Sequence, residues 1–140
     1  MANILVVDSY FSIGLLYREV LEDQGHKVLV AKSGKEAIYI ALCEMVDIVV
    51  VDNALLDYGA EELLVELKKY QPNIRGVLTI SYTFDWQRNG LLWDEIVYKS
   101  GNFMKLQEKV NRVSRDFELE FQSLQKEVQD TYRAESIQIS

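Results

Sequence analysis

The chain has 140 residues, a net charge of −7, a pI near 4.7 and one cysteine, Cys43. That length holds one domain with a real core and some surplus, and the acidic balance argues against direct nucleic-acid binding, which relies on clustered Lys and Arg. A lone cysteine excludes an internal disulfide; with no signal-peptide pattern and no apolar stretch of membrane-spanning length, the expectation is a cytoplasmic protein with no membrane partner.

A first strand, Ile4-Leu5-Val6-Val7, ends in an acid, Asp8. Ile13, Leu16, Tyr17, Val20 and Leu21 then recur at the spacing of one helical face, and Gly25 supplies a stop. His26, the only histidine, sits in the turn before the second strand, Lys27 to Ala31, and reads as a surface residue. Ser33 and Glu36 stand as an N-cap and its reciprocal partner, opening a helix through Ala37, Ile40 and Ala41 in which Cys43 is a small apolar residue.

The third strand, Ile48 to Val51, is an unbroken β-branched run and ends in a second acid, Asp52. Gly59 turns the chain, and Leu63, Leu64, Leu67 and Tyr70 build a helix before the lone proline, Pro72. A fourth strand follows from about Arg75 to Ser81. The segment from Tyr82 to Gly90 is aromatic and polar without a sustained helical face, which predicts a short or irregular fourth helix; Tyr82, Phe84, Trp86 and Trp93 are either a partner patch or core filler. The last strand runs from about Glu95 to Tyr98 and is followed by Lys99.

From Asn102 onward, Leu106, Val110, Val113, Phe117, Phe121, Leu124 and Val128 keep steps of three or four residues. The pattern predicts a helix over about 102 to 130 that serves the core as far as Val113 and then projects, with a frayed end from Arg133 to Ser140. The domain reading is therefore 1–115 with a helical extension over 116–140. Burial of the projecting stripe predicts a homodimer through the C-terminal helices, with docking onto its own domain or onto another protein as the alternative. The step from Phe117 to Phe121 departs from a heptad and would locally unwind a left-handed coil.

Alternating strands and helices imply right-handed crossovers and a doubly wound α/β fold, a five-stranded parallel sheet covered on both faces. In such sheets functional groups gather beyond the carboxyl ends of the strands, so Asp8, Asp52 and Lys99 are expected in one crevice. Taken singly, Asp8 reads as a turn or capping residue, Lys99 as a solvated lysine and Ser81 as an ordinary strand-end hydroxyl.

The ordered set Val6-Val7-Asp8, Ser33-Gly34-Lys35-Glu36-Ala37, Val50-Val51-Asp52, Asp57-Tyr58-Gly59, Ser81 and Tyr98-Lys99 resembles the receiver domain of two-component response regulators over about residues 3 to 115. The resemblance implies a flavodoxin-like receiver fold and a signalling domain rather than a conventional enzyme. Asp52 would be the phosphoacceptor, phosphorylated by a histidine kinase or a phosphotransfer protein. Asp8, Asp52 and the backbone carbonyl of Ala54 would hold Mg²⁺, and Lys99 would face the phosphoryl group. A hydroxyl at the end of the fourth strand would bond to that group; Ser81 fits the register best, with Thr79 in its place if the strand ends early.

Four positions depart from the family pattern. Ser9 stands where a second acid usually ligates the metal, which weakens the implied Mg²⁺ site because a hydroxyl is a poor substitute for a carboxylate on a hard cation. Leu56 and Ser100 replace prolines, and Ile96 fills the place of the aromatic switch residue. These departures leave open a pseudo-receiver, an interaction module of the same architecture without phosphorylation, and the chain also reads as the receiver fragment of a larger regulator. A small α/β enzyme or flavin binder would need a phosphate-cradling loop after the first strand, and Asp8-Ser9-Tyr10-Phe11-Ser12 lacks its glycines.

Overall fold

The computed structural model describes residues 1–81, 92–99 and 102–139, with side chains described as far as 135. The order is β1 (Asn3–Val7), α1 (Phe11–Glu22), β2 (Lys27–Ala31), α2 (Gly34–Cys43), β3 (Ile48–Asp52), α3 (Ala60–Tyr70), β4 (Arg75–Ile80), β5 (Glu95–Tyr98) and α4 (Met104–Ile139). The irregular fourth helix expected between Tyr82 and Gly90 lies outside the described residues, as does Ser100.

The five strands form a parallel sheet in the order β2-β1-β3-β4-β5. β3 is buried throughout, as its unbroken apolar run requires when both faces of a sheet are covered. One face carries Leu5, Val7, Val49, Val51, Leu78 and Ile80 against residues of α2 and α3. The other carries Ile4, Val6, Ile48, Val50, Val77 and Val97 against Tyr17, Leu21, Leu106, Val110 and Val113. Trp93 is buried in the first of these cores, which resolves its two sequence readings in favour of core filling.

Several local expectations are corrected. Leu16 and Tyr70 are exposed, although their spacing placed them on inward faces. In α1 the inward place goes to Gly14, where the helix comes so close to β2 that a Cβ would lie 2.6 Å from Val30 Cγ1. His26 is not a surface residue: it is 6% exposed, its Nδ1 accepts the Ala2 amide at 3.0 Å, and its Nε2 stands 2.7 Å from Asn111 Oδ1. Since Nδ1 accepts, Nε2 carries the proton and donates to Asn111, tying the first strand and the turn before β2 to α4.

Cys43 closes α2 and is exposed. Helix α4 continues through Ile139, past the point where fraying was expected, and its 36 residues span about 54 Å. Leu106, Val110 and Val113 are buried, whereas Phe121, Leu124, Val128 and Tyr132 are exposed, so the second half projects as its spacing predicts. Among the described residues no helix is long and apolar enough to cross a membrane.

Candidate functional site

The chain runs outward from β1 to β2 and then returns across β1 to reach β3, so the sheet reverses its winding between β1 and β3. The two helices following these strands leave on opposite faces and open a crevice at their carboxyl ends. Asp8 follows β1, and Asp52 is the last residue of β3; each is 1% exposed. Lys99 follows β5, with its amide donating to Ile80 O at 2.7 Å.

That backbone placement lets the lysine reach inward. Lys99 Nζ lies 2.7 Å from Asp52 Oδ1 and 3.8 Å from Asp8 Oδ2. The structure thus brings together three of the residues singled out in the sequence.

Each carboxylate is half used by its own loop. Asp8 Oδ1 accepts the Tyr10 amide at 2.9 Å, the turn role expected of it in isolation, and Asp52 Oδ1 accepts the Ala54 amide at 3.1 Å. The buried Oδ2 atoms of both residues lack a hydrogen-bond partner among the described residues. One cation therefore serves two buried acids, and two carboxylate oxygens remain without hydrogen-bond donors, the donor type that a hard cation takes.

Burial pushes the Asp8 carboxyl above its ordinary value; the Tyr10 amide opposes this, the charge of Asp52 adds to it, and Lys99 opposes it. Tyr17, buried on the α1 side, is pushed up to about 12 by burial and then by the charges of Asp8 and Asp52, and it stays neutral. Among the described residues no group of three His, Cys, Asp or Glu side chains gathers to hold a metal ion, and the residue after Asp8 is a serine.

Thr79 and Ser81 occupy different settings. Thr79 is buried in register with Asp52, and its Oγ1 donates to Val51 O at 3.4 Å. Ser81 lies just past the end of β4 and is exposed at the crevice rim.

The loop after Asp52 is anchored by a residue whose role the sequence reading missed. Asp57 accepts the amides of Gly34 at 2.9 Å and Lys35 at 3.0 Å, joining the Ser33 side chain, which accepts the Glu36 amide at 3.1 Å, in capping α2. What burial Asp57 has raises its carboxyl, but the hydrogen bonds from Gly34 and Lys35 outweigh this and hold it below the usual range. Beside it Tyr58 packs onto Gly34, where a Cβ would lie 2.5 Å from Tyr58 Cδ2. The Ser-Gly pair that reads as a helix start in sequence is thus also the landing for the loop that carries Ala54.

No family model matches the chain. Over 80 residues it is 30% identical to the sporulation initiation phosphotransferase F of Bacillus subtilis, a match covering 57% of this chain and 64% of that protein, so it spans less than two-thirds of the relative. Among solved structures, it resembles the response regulator protein TrrA of Thermotoga maritima, determined in complex with Mg²⁺ and BeF, with a TM-score of 0.73 and 30% identity over 81% of this chain and 99% of that one. A response regulator receiver domain protein from Clostridium thermocellum matches with a TM-score of 0.72 and 25% identity over 85% of this chain and 98% of that one. At 30% identity over nearly the whole of the Thermotoga protein, and with a five-stranded parallel sheet in the order β2-β1-β3-β4-β5, the chain belongs to the receiver-domain family of two-component response regulators.

Proposed function

We infer that this receiver domain accepts a phosphoryl group on Asp52 from a phosphohistidine of a histidine kinase or phosphotransfer protein and changes its binding surface in response. The observation that carries this reading is Lys99 Nζ at 2.7 Å from Asp52 Oδ1 in a crevice where Asp52 Oδ2 has no hydrogen-bond donor among the described residues. An Asp52 carboxylate oxygen attacks phosphorus, the new O–P bond forms as the N–P bond to the donor imidazole breaks, and the imidazole leaves with the electron pair. The domain's work is positioning and charge neutralisation, since phosphoryl transfer asks little covalent chemistry of its surroundings.

Lys99 sits to pair with the transferred group's oxygens, and Ser81 at the rim supplies a hydroxyl for the attached phosphoryl group, with the buried Thr79 as the inner alternative. The partnerless oxygens of Asp8 and Asp52 fit a divalent cation. Those two side chains and the Ala54 carbonyl would hold Mg²⁺, with Ser9 a poor fourth partner. When bound, the ion supplies positive charge to the phosphoryl oxygens and relieves the repulsion between the two acids.

Incubation with a small phosphodonor and Mg²⁺, followed by intact mass and peptide mapping, tests the reading. The wild type is expected to gain one phosphate mass on the peptide carrying Asp52, and Asp52→Asn is expected to gain none. An unmodified wild type at high donor and Mg²⁺ would place the chain among pseudo-receivers.

A further inference from the structure

The apolar stripe of α4 continues beyond the domain in a regular pattern. Val110, Val113, Phe117, Phe121, Leu124, Val128 and Tyr132 are separated by steps of three, four, four, three, four and four, which is an eleven-residue repeat. Such a repeat advances about 3.67 residues per turn, so the stripe stays almost parallel to the helix axis, and paired helices would run straight or with a slight right-handed twist. The face that Leu106, Val110 and Val113 press on the sheet is therefore the face that Phe121, Leu124, Val128 and Tyr132 present below it. Phe117 and Phe121 confirm the alignment by lining, with Met45, Tyr70, Pro72 and Ile74, a groove of about 460 Å³ at the base of the domain.

Leu124 is 58% and Val128 61% exposed, and the polar residues bordering them along the stripe are Gln125, Gln129 and Thr131. Amides and a hydroxyl next to an apolar seam can hydrogen-bond to a copy of themselves, while Lys126 and Asp130 point to the opposite face. Glu127 is the only charge near the seam between Phe121 and Tyr132.

We propose that a second copy of this chain packs on this face with its helix antiparallel, centred at Val128. The direction follows from volume: a parallel partner would have to carry its own first turns along the face of α4 that this protein's sheet already fills. An antiparallel partner avoids the domain, and the single step of four on either side of Val128 sets Val128 against Val128 and Leu124 against Tyr132 of the second copy. The two phosphoacceptor crevices then lie at opposite ends of the dimer, and each helix end reaches the level of the partner's basal groove.

Cysteine cross-linking of the full chain tests this, in a Cys43→Ser background because Cys43 is itself exposed. Val128→Cys is expected to form a disulfide-linked dimer under mild oxidation. Phe121→Cys is expected to form none, because its two copies would stand about 21 Å apart along the axis, beyond the roughly 7 Å that a disulfide spans between Cα atoms. Sedimentation at tens of micromolar is expected to show a dimer for the wild type and a monomer for Leu124→Glu combined with Val128→Glu, exposed positions whose change leaves the domain folded by circular dichroism. A monomeric wild type would overturn the proposal and leave the stripe to a different protein; cross-linking at Phe121 as fast as at Val128 would replace it with a parallel pair, and no link at Val128 would remove the seam itself.

Discussion

Asp8→Asn is expected to stabilise the metal-free domain, although it removes half of an ion pair. Asp8 and Asp52 are both 1% exposed and share Lys99, which sits at 2.7 Å from Asp52 and 3.8 Å from Asp8. The closer pair survives the change, and so does the hydrogen bond from the Tyr10 amide, because an amide oxygen accepts it as a carboxylate does. What disappears is a second buried negative charge with one partnerless oxygen. The amide nitrogen that takes the place of Oδ2 is still a buried polar group but carries no charge, so what is removed is the excess cost of burying a second negative charge beside Asp52, on the order of 1–3 kcal/mol; allowing for the weak attraction to Lys99 that is also lost, the net gain is about 1–2 kcal/mol. For a domain of this size that is a rise in Tm of about 3–8 °C.

The pH dependence gives a sharper criterion. Burial, aided by Asp52, raises the folded-state value of Asp8 above 3.8, so the native form holds this proton more tightly than the unfolded chain. That advantage is complete below the unfolded value and is lost as pH rises through the raised folded value, so wild-type stability declines there relative to the variant. Urea unfolding is expected to show the gain at pH 7 and little of it below pH 3.8, and saturating Mg²⁺ at pH 7 is expected to stabilise the wild type and not the variant. A variant less stable than wild type at pH 7, or an equal gain at both pH values, would refute the account of two buried acids competing for one lysine.

Ser9→Asp restores a third carboxylate to the crevice and is expected to tighten Mg²⁺ binding by about tenfold or more while lowering metal-free stability, as followed by titrating the fluorescence of a nearby reporter; unchanged affinity would show that residue 9 does not face the metal. Asp57→Ala removes the acceptor for the Gly34 and Lys35 amides and is expected to cost about 0.5–2 kcal/mol of stability by urea denaturation, with earlier hydrogen exchange at those two amides.

Much of the site was legible in one dimension because its positions are set by where apolar runs stop. Runs such as Ile48 to Val51 are stable only when covered on both faces, and in a parallel sheet every such run ends on the same side. Asp8, Asp52 and Lys99 are therefore placed along one edge of the sheet before any side chain is placed, and the strand order then sets Asp8 beside Asp52 while the long lysine side chain reaches them from beyond β4. The start of α2 at Ser33 and the reach of α4 beyond Val113 were equally local, resting on a cap and on a periodicity.

The rest depended on groups far apart in the chain. His26 reads as a turn residue but is buried because Ala2 and Asn111, 24 and 85 positions away, close over it. Asp57 caps a helix 23 residues earlier, and α1 turns the Gly14, Tyr17 and Leu21 face inward, with β2 too close for a side chain at position 14, which leaves Leu16 facing out. The division of Lys99 between two acids, and with it the raised value of Asp8, is likewise a matter of ångströms. Hydrophobic period and strand polarity are properties of neighbours along the chain and so can be read from it, whereas burial of a polar group and the sharing of a charge depend on which remote atoms arrive within hydrogen-bond distance, and only the packed tertiary structure decides that.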